Sequence, residues 1–89
     1  MKPIFKYKLF DYQPGRVTIK LPSDHQILSC QRQGEEIVIW AIVDPESEQQ
    51  EKSFEIYYTG FCVVDAPLKN HLSTLQHDGI VLHVFEVLA

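Results

Sequence analysis

The sequence has few of the features that usually identify a chemistry. Its 89 residues include two cysteines and four glycines. The glycines, at positions 15, 34, 60 and 79, are isolated, which excludes the Gly-rich loops that bind phosphates. No Cys-x-x-Cys pair suggests zinc or redox chemistry, and no Gly-x-Ser-x-Gly elbow suggests a serine hydrolase. The sequence therefore predicts no metal site, no cofactor and no catalytic residue.

Long apolar runs and a basic surplus are also missing. No run approaches the roughly 18–20 apolar residues of a membrane-spanning helix, and residues 1–10 lack the apolar segment of a signal peptide. The formal net charge is −4, which argues against general nucleic-acid binding, because such domains usually carry excess Lys and Arg. We therefore expect a cytoplasmic protein.

Apolar residues, by contrast, are abundant. They make up 45% of the chain, which is ample for a packed core, and 89 residues are the length of one domain. We predict a single β domain over residues 1–89. The runs 37–43 and 80–88 bring more apolar surface than one thin layer covers, so we expect a homo-oligomer, most simply a symmetric dimer.

Two segments near the start alternate apolar with polar residues, as half-buried strands do. Residues 3–10 and 16–21 are separated by the turn residues 11–15, so we predict that they pair as a hairpin. The register that turns every apolar side chain to one face pairs Phe5 with Leu21, Tyr7 with Ile19, and Leu9 with Val17.

Further strands are predicted over 26–33, 36–43 and 54–60, with an exposed loop at 46–52 and an irregular segment at 61–70. Asp78 and Gly79 predict a type I′ hairpin turn near the end of the chain, pairing His77 with Ile80 and Thr74 with His83. About seven short strands predict an all-β fold, a small antiparallel sandwich or barrel.

Cysteines and histidines are the remaining candidates for chemistry. We expect Cys30 and Cys62 to be buried, reduced thiols; a disulfide or a catalytic thiol is the alternative. His83 is expected to be half-buried and bonded to a sheet neighbour, with His77 on the opposite face and His71 on the same face as His77. This arrangement disfavours a shared metal ion.

The predicted first hairpin places four cations together on its outward face. They are Lys6, Lys8, Arg16 and Lys20. Lysines commonly protect an exposed sheet edge, which is the simplest interpretation. The alternative is a docking site for an acidic partner or a small anion, and in a dimer the acidic residues that follow Trp40 would be available to meet these cations.

Four short segments resemble a family of small proteins encoded by phages and prophages. They are residues 4–7 (Ile-Phe-Lys-Tyr), 40–45 (Trp-Ala-x-Val-Asp-Pro), 54–60 (Phe-x-Ile-Tyr-x-Thr-Gly) and 83–86 (His-Val-Phe-Glu). Members of that family tend to have a histidine after the Thr-Gly pair, where this chain has Phe61. The family has no established activity, so the resemblance implies a phage or prophage context and no catalysis.

These observations favour a small, non-catalytic, phage-type accessory protein that binds a protein partner from the host or the phage. One alternative is an oligomeric sponge that sequesters a small anionic metabolite or nucleotide at the basic hairpin. A second is a minor enzyme that pairs Cys62 with His83 or His71.

Overall fold

The computed structural model describes residues 1–11 and 14–88 and forms an all-β fold. A single turn of 3-10 helix, Ala66–Leu68, precedes the sixth strand. The strands are β1 (Ile4–Asp11), β2 (Gly15–Pro22), β3 (His25–Gln33), β4 (Glu36–Val43), β5 (Gln49–Tyr58), β6 (Lys69–His77) and β7 (Ile80–Val87). In this part of the chain no helix has the length and hydrophobicity that a bilayer crossing requires.

The strands form two antiparallel sheets that pack as a sandwich, which confirms the predicted fold class. One sheet has the order β1-β4-β3 and the other the order β2-β5-β7-β6. The two most apolar strands, β4 and β7, are central in their sheets, as their composition predicts. β4 carries buried residues on both faces, whereas the outward face of β7 is only half-buried.

The core lies between the sheets and follows from the period of two along each strand. Ile37 and Ile39 of β4 are fully buried, and Phe54 of β5 packs against them from the other sheet together with Leu82 and Val84 of β7. Alternate side chains of β2 and β5 therefore point outward, and these side chains form the surface described below.

The predicted hairpin between the first two strands is wrong. β1 pairs with β4, so Phe5 lies opposite Ala41, and β2 pairs with β5, so Leu21 lies opposite Gln50. The connection between β1 and β2 passes from one sheet to the other. Its residues 12 and 13 lie outside the described residues. Alternation correctly placed Tyr7 and Leu9 of β1 and Val17, Ile19 and Leu21 of β2 inward, but a bulge between Lys8 and Phe10 also buries Phe10. Alternation carries no information on which strand is the neighbour.

The last hairpin has the predicted register. His77 pairs with Ile80 and Thr74 with His83, and the turn residues Asp78 and Gly79 have φ of 50° and 79°. Positive φ at both positions is the requirement of a type I′ turn, which Asp-Gly meets at low cost.

The predicted loop at 46–52 is too long, because β5 begins at Gln49. Its first residues are polar and exposed, so they lack the apolar signal of a strand. They are strand because they extend the ladder with β2, in which Glu51 lies opposite Lys20.

The two cysteines are free thiols in different environments. Cys30 is buried on the inward face of β3, and burial raises its pKa to about 12. Cys62 is exposed in the segment between β5 and β6, so the expectation that both thiols are buried holds only for Cys30.

We expect one thiol to react in the folded protein and two after unfolding. A thiolate is the reactive species, so Cys30 is protected both by burial and by its high pKa. Titration with a chromogenic disulfide reagent, with and without denaturant, measures this. Rapid reaction of both thiols in the native protein would contradict the position of Cys30.

Candidate functional site

The outward face of the four-stranded sheet contains a buried carboxylate, which is unusual for a surface position. Glu55 of β5 is 9% exposed although it points away from the core. It is placed there by alternation, because its neighbours Phe54 and Ile56 both point inward. A buried acid must be paired, so its partners define the site.

Three side chains from three strands converge on Glu55. Arg16 of β2 donates through Nη1 to Oε2 at 3.0 Å, while Tyr57 Oη donates to Oε1 at 2.5 Å. Lys69 of β6 also lies 2.5 Å from Oε1 through Nζ, and it donates to Tyr57 Oη at 3.1 Å. Both oxygens of the carboxylate are therefore occupied by donors.

Glu55 and Lys69 both stay ionised at neutral pH. Burial raises the pKa of Glu55, but hydrogen bonds from Lys69 and Tyr57, the charge of Lys69 and the bond from Arg16 outweigh burial and lower it overall. The hydrogen bond to Glu55 is the main cause of the raised pKa of Lys69. A carboxylate and an ammonium that both stay ionised around pH 7 are poorly suited to general acid–base catalysis.

A groove runs over this cluster between the start of β2 and the segment 59–68. One part, of about 390 Å³, is lined by Pro14, Arg16, Tyr57 and Phe61 among others. An adjoining part, of about 510 Å³, shares Arg16, Glu55 and Tyr57. We call both parts together the Arg16 groove.

The rim of the Arg16 groove is apolar and exposed. Phe61 is 55%, Val64 64% and Leu68 50% exposed, and all three line the groove. The segment that carries them is shaped by Asp65, which has a positive φ of 52° and accepts a hydrogen bond from Leu68 N at 2.8 Å. Exposed apolar side chains gathered beside a polar floor are typical of an interaction surface.

A chain of hydrogen bonds crosses the same face beside the groove. His83 Nε2 is bonded to Thr59 Oγ1 at 2.7 Å, and its Nδ1 to Thr74 Oγ1 at 3.0 Å. Thr74 Oγ1 is bonded in turn to His71 Nε2 at 2.9 Å. His83 is half-buried and bonded to its cross-strand neighbour, as predicted, so both of its ring nitrogens already have hydroxyl partners.

The predicted face of His71 is wrong. A bulge at Leu72 shifts the register of β6, so His71 pairs with Phe85 and lies beside His83, with 6.5 Å between ring centroids. His77 lies at the edge between β3 and β6, where its Nδ1 is 2.9 Å from Arg32 Nη1. Within residues 1–11 and 14–88, no three His, Cys, Asp or Glu side chains are arranged to hold a metal ion.

The four predicted binding cations do not share one sheet face. Lys6 and Lys8 belong to β1, where Lys6 donates to Gln33 at 2.7 Å and Lys8 lies 3.2 Å from Glu36. Arg16 and Lys20 belong to β2, in the other sheet. The geometric argument for a single basic stripe is therefore wrong, and of the four residues Arg16 is the one that lines the groove.

Sequence reasoning missed Glu55, Tyr57 and Lys69 as site residues. Glu55 and Tyr57 occupy alternate positions of one strand, so a shared face was predictable. Lys69 of β6 reaches Glu55 of β5 because only one strand, β7, lies between β5 and β6 in the sheet. That order depends on long-range pairing, which no local pattern encodes.

Comparison with known proteins shows the family to which the chain belongs. No curated protein and no solved structure matches the chain. A family model matches residues 1–89, the full length given. The chain therefore belongs to the family described as a domain of unknown function, DUF7352.

Proposed function

We propose that this protein is a non-catalytic accessory protein that binds a protein partner in the Arg16 groove. The observation that supports this most is the exposed apolar rim of Phe61, Val64 and Leu68 beside an exposed guanidinium. Aromatic and Arg side chains are enriched at protein interfaces and dominate their energetics. The partner we propose presents an apolar side chain to the rim and an acidic group to Arg16.

The ionic cluster beneath the groove supports this role by holding Arg16 in place. The Arg16 side chain is 56% exposed, yet one nitrogen of its guanidinium is bonded to the buried Glu55. The remaining donors are thereby oriented before a partner arrives, which reduces the entropy lost on binding. The proposal includes a phage or prophage context, because the sequence motifs resemble those of a phage-encoded family. In that context the partner is a host or phage protein.

The charges around the groove favour a protein over a small anion. Arg16 and Lys69 are balanced by Glu55 and Asp65, so the lining carries no net positive charge. A sponge for nucleotides or anionic metabolites would need a cationic surplus to offset the charge of its ligand. Absorbance near 260 nm from the purified, desalted protein would revive that alternative.

Capture experiments with matched variants test the proposal. Phe61→Ala and Arg16→Ala remove the apolar and the charged contact, and Ile80→Ala removes an apolar side chain of similar exposure, 46% against 55% for Phe61. We expect a specific partner from phage-infected host lysate to be retained by wild type and Ile80→Ala. Each groove variant should lose at least about tenfold in affinity, as interface anchors do. A partner that binds both groove variants normally would refute the groove.

A further inference from the structure

The outward face of the three-stranded sheet is a second unexplained surface, on the opposite side of the sandwich from the Arg16 groove. Its centre is apolar, because Val38, Trp40 and Ile42 of β4 all point outward. Trp40 and Ile42 are half-buried, and Val38 is fully buried. Trp40 is therefore a half-buried, outward-facing aromatic that lies outside the buried cluster.

The two flanking strands frame this apolar row with different chemistries. Opposite the β4 row, β1 presents Ile4, Lys6 and Lys8, and β3 presents Gln26, Ser29 and Gln31. Leu28, the extra residue of the bulge in β3, is 45% exposed beside them, and Ile4 is 59% exposed. We call these residues together the Trp40 face. One side of the face donates through ammonium groups, and the other side offers amide and hydroxyl oxygens as acceptors.

This arrangement is complementary to itself. A two-fold axis parallel to β4 places the apolar row on its own copy and brings β1 of one protomer over β3 of the other. Lysines then meet glutamines and a serine. Glu36, at the end of the β4 row, meets its own copy, but its charge is balanced by Lys8 of the same chain at 3.2 Å. The matching chemistry is already seen within one chain, where Lys6 reaches across β4 and donates to Gln33 on β3 at 2.7 Å.

We propose that the Trp40 face is a homodimer interface, in which two three-stranded sheets pack face to face. Sheets stacked in this way lie about 10 Å apart with strands nearly aligned, as in the sandwich itself. The Arg16 groove stays accessible on the far side of each protomer, so a dimer presents two grooves. This proposal does not depend on the function proposed for the groove.

The size of the face predicts a weak dimer. Three strands about 4.8 Å apart and some eight residues long, at about 3.3 Å each, give a face of roughly 14 by 26 Å. That area is about half of the roughly 800 Å² per partner in a standard interface. Association should therefore appear over micromolar to millimolar concentrations rather than at nanomolar ones.

Trp40 is the only tryptophan, so its emission reports directly on this interface. Between about 1 µM and about 1 mM, wild type should rise from the monomer mass of 10.3 kDa toward twice that value, with a blue shift in Trp40 emission. Leu28→Lys adds a charge to the face and should remain monomeric with unshifted emission. The matched control Ile80→Lys alters a residue of similar exposure, 46% against 45%, on the other sheet and should dimerise normally.

Three outcomes would overturn the proposal. The first is a wild-type mass that stays at 10.3 kDa throughout the concentration range. The second is a dimer that forms equally well with Leu28→Lys. The third is a dimer that is lost with Ile80→Lys instead. Melting temperatures of the two variants within a few degrees of wild type confirm that both are folded, since both substitutions are at exposed positions.

Discussion

Phe54→Ala is expected to lower the free energy of unfolding by about 3–5 kcal/mol. The Phe54 side chain is 0% exposed to solvent and belongs to the cluster of buried residues between the sheets. Truncation removes the free energy gained by transferring the ring from water to the core. It also leaves a cavity that two hydrogen-bonded sheets cannot close. Because small domains have only about 5–15 kcal/mol of stability, urea denaturation should show a large shift of the midpoint.

Phe5→Ala is the matched control, because it removes the same side chain from a strand of the other sheet. Phe5 is 41% exposed, so its loss should cost about 1 kcal/mol or less. Equal costs for the two substitutions would contradict the position of the core.

Glu55→Gln is expected to lower the free energy of unfolding at pH 7 by about 1.5–3 kcal/mol, the range for hydrogen bonds to a charged group. The amide keeps the shape of the side chain but removes the charge that Lys69 and Arg16 face. Its NH₂ group also donates where the carboxylate accepted two bonds. Urea denaturation monitored by circular dichroism measures the loss.

The same comparison has a pH dependence of known sign. The pKa of Glu55 is lower in the folded protein than its ordinary value of 4.5, so its contribution is complete above the unfolded pKa. It is lost as the pH falls through the folded pKa, so the difference between wild type and Glu55→Gln should shrink at strongly acidic pH. Glu51→Gln, an exposed acid on the same strand, should differ little from wild type at either pH. A difference for Glu55→Gln that does not change with pH would contradict the ionised cluster.

Local patterns were sufficient for much of the fold. Asp78 and Gly79 specified a turn that requires positive φ twice, and the register of β6 and β7 around it followed without any long-range information. The run that follows this turn is apolar on both faces, which predicts an interior strand, and β7 lies between β5 and β6. In each case the deciding physics lies within a few residues of the chain.

Long-range strand pairing and register irregularities could not be predicted from the sequence. Tyr7 and Leu9 of β1, and Val17, Ile19 and Leu21 of β2, alternate with polar residues, so a hairpin between the two strands buries these side chains as well as the observed pairings with β4 and β5 do. The bulge at Leu72 turns His71 to the other face, and no Gly or Pro at this point of the sequence predicts a bulge. Arg16 was identified as a binding candidate, but its neighbours Glu55 and Lys69 became visible only with the strand order.

The proposed dimer and the proposed partner site use opposite sides of the sandwich, so each can fail alone. Loss of self-association in Leu28→Lys should leave partner binding per protomer unchanged. A partner that engages two grooves at once would bind the dimer more tightly through the raised effective concentration of the second site. Comparing wild type with Leu28→Lys at the same protomer concentration separates these contributions.

The central claim is that a protein partner occupies the Arg16 groove, and site-specific photo-cross-linking in phage-infected host cells tests it most directly. A photoreactive phenylalanine analogue replaces Phe61 on the groove rim or, as the control, Ile80, which is 46% exposed outside the groove. We predict one specific cross-linked product from position 61, lost when Arg16→Ala is added, and none from position 80. No cross-link from position 61, or the same product from both positions, would contradict the account.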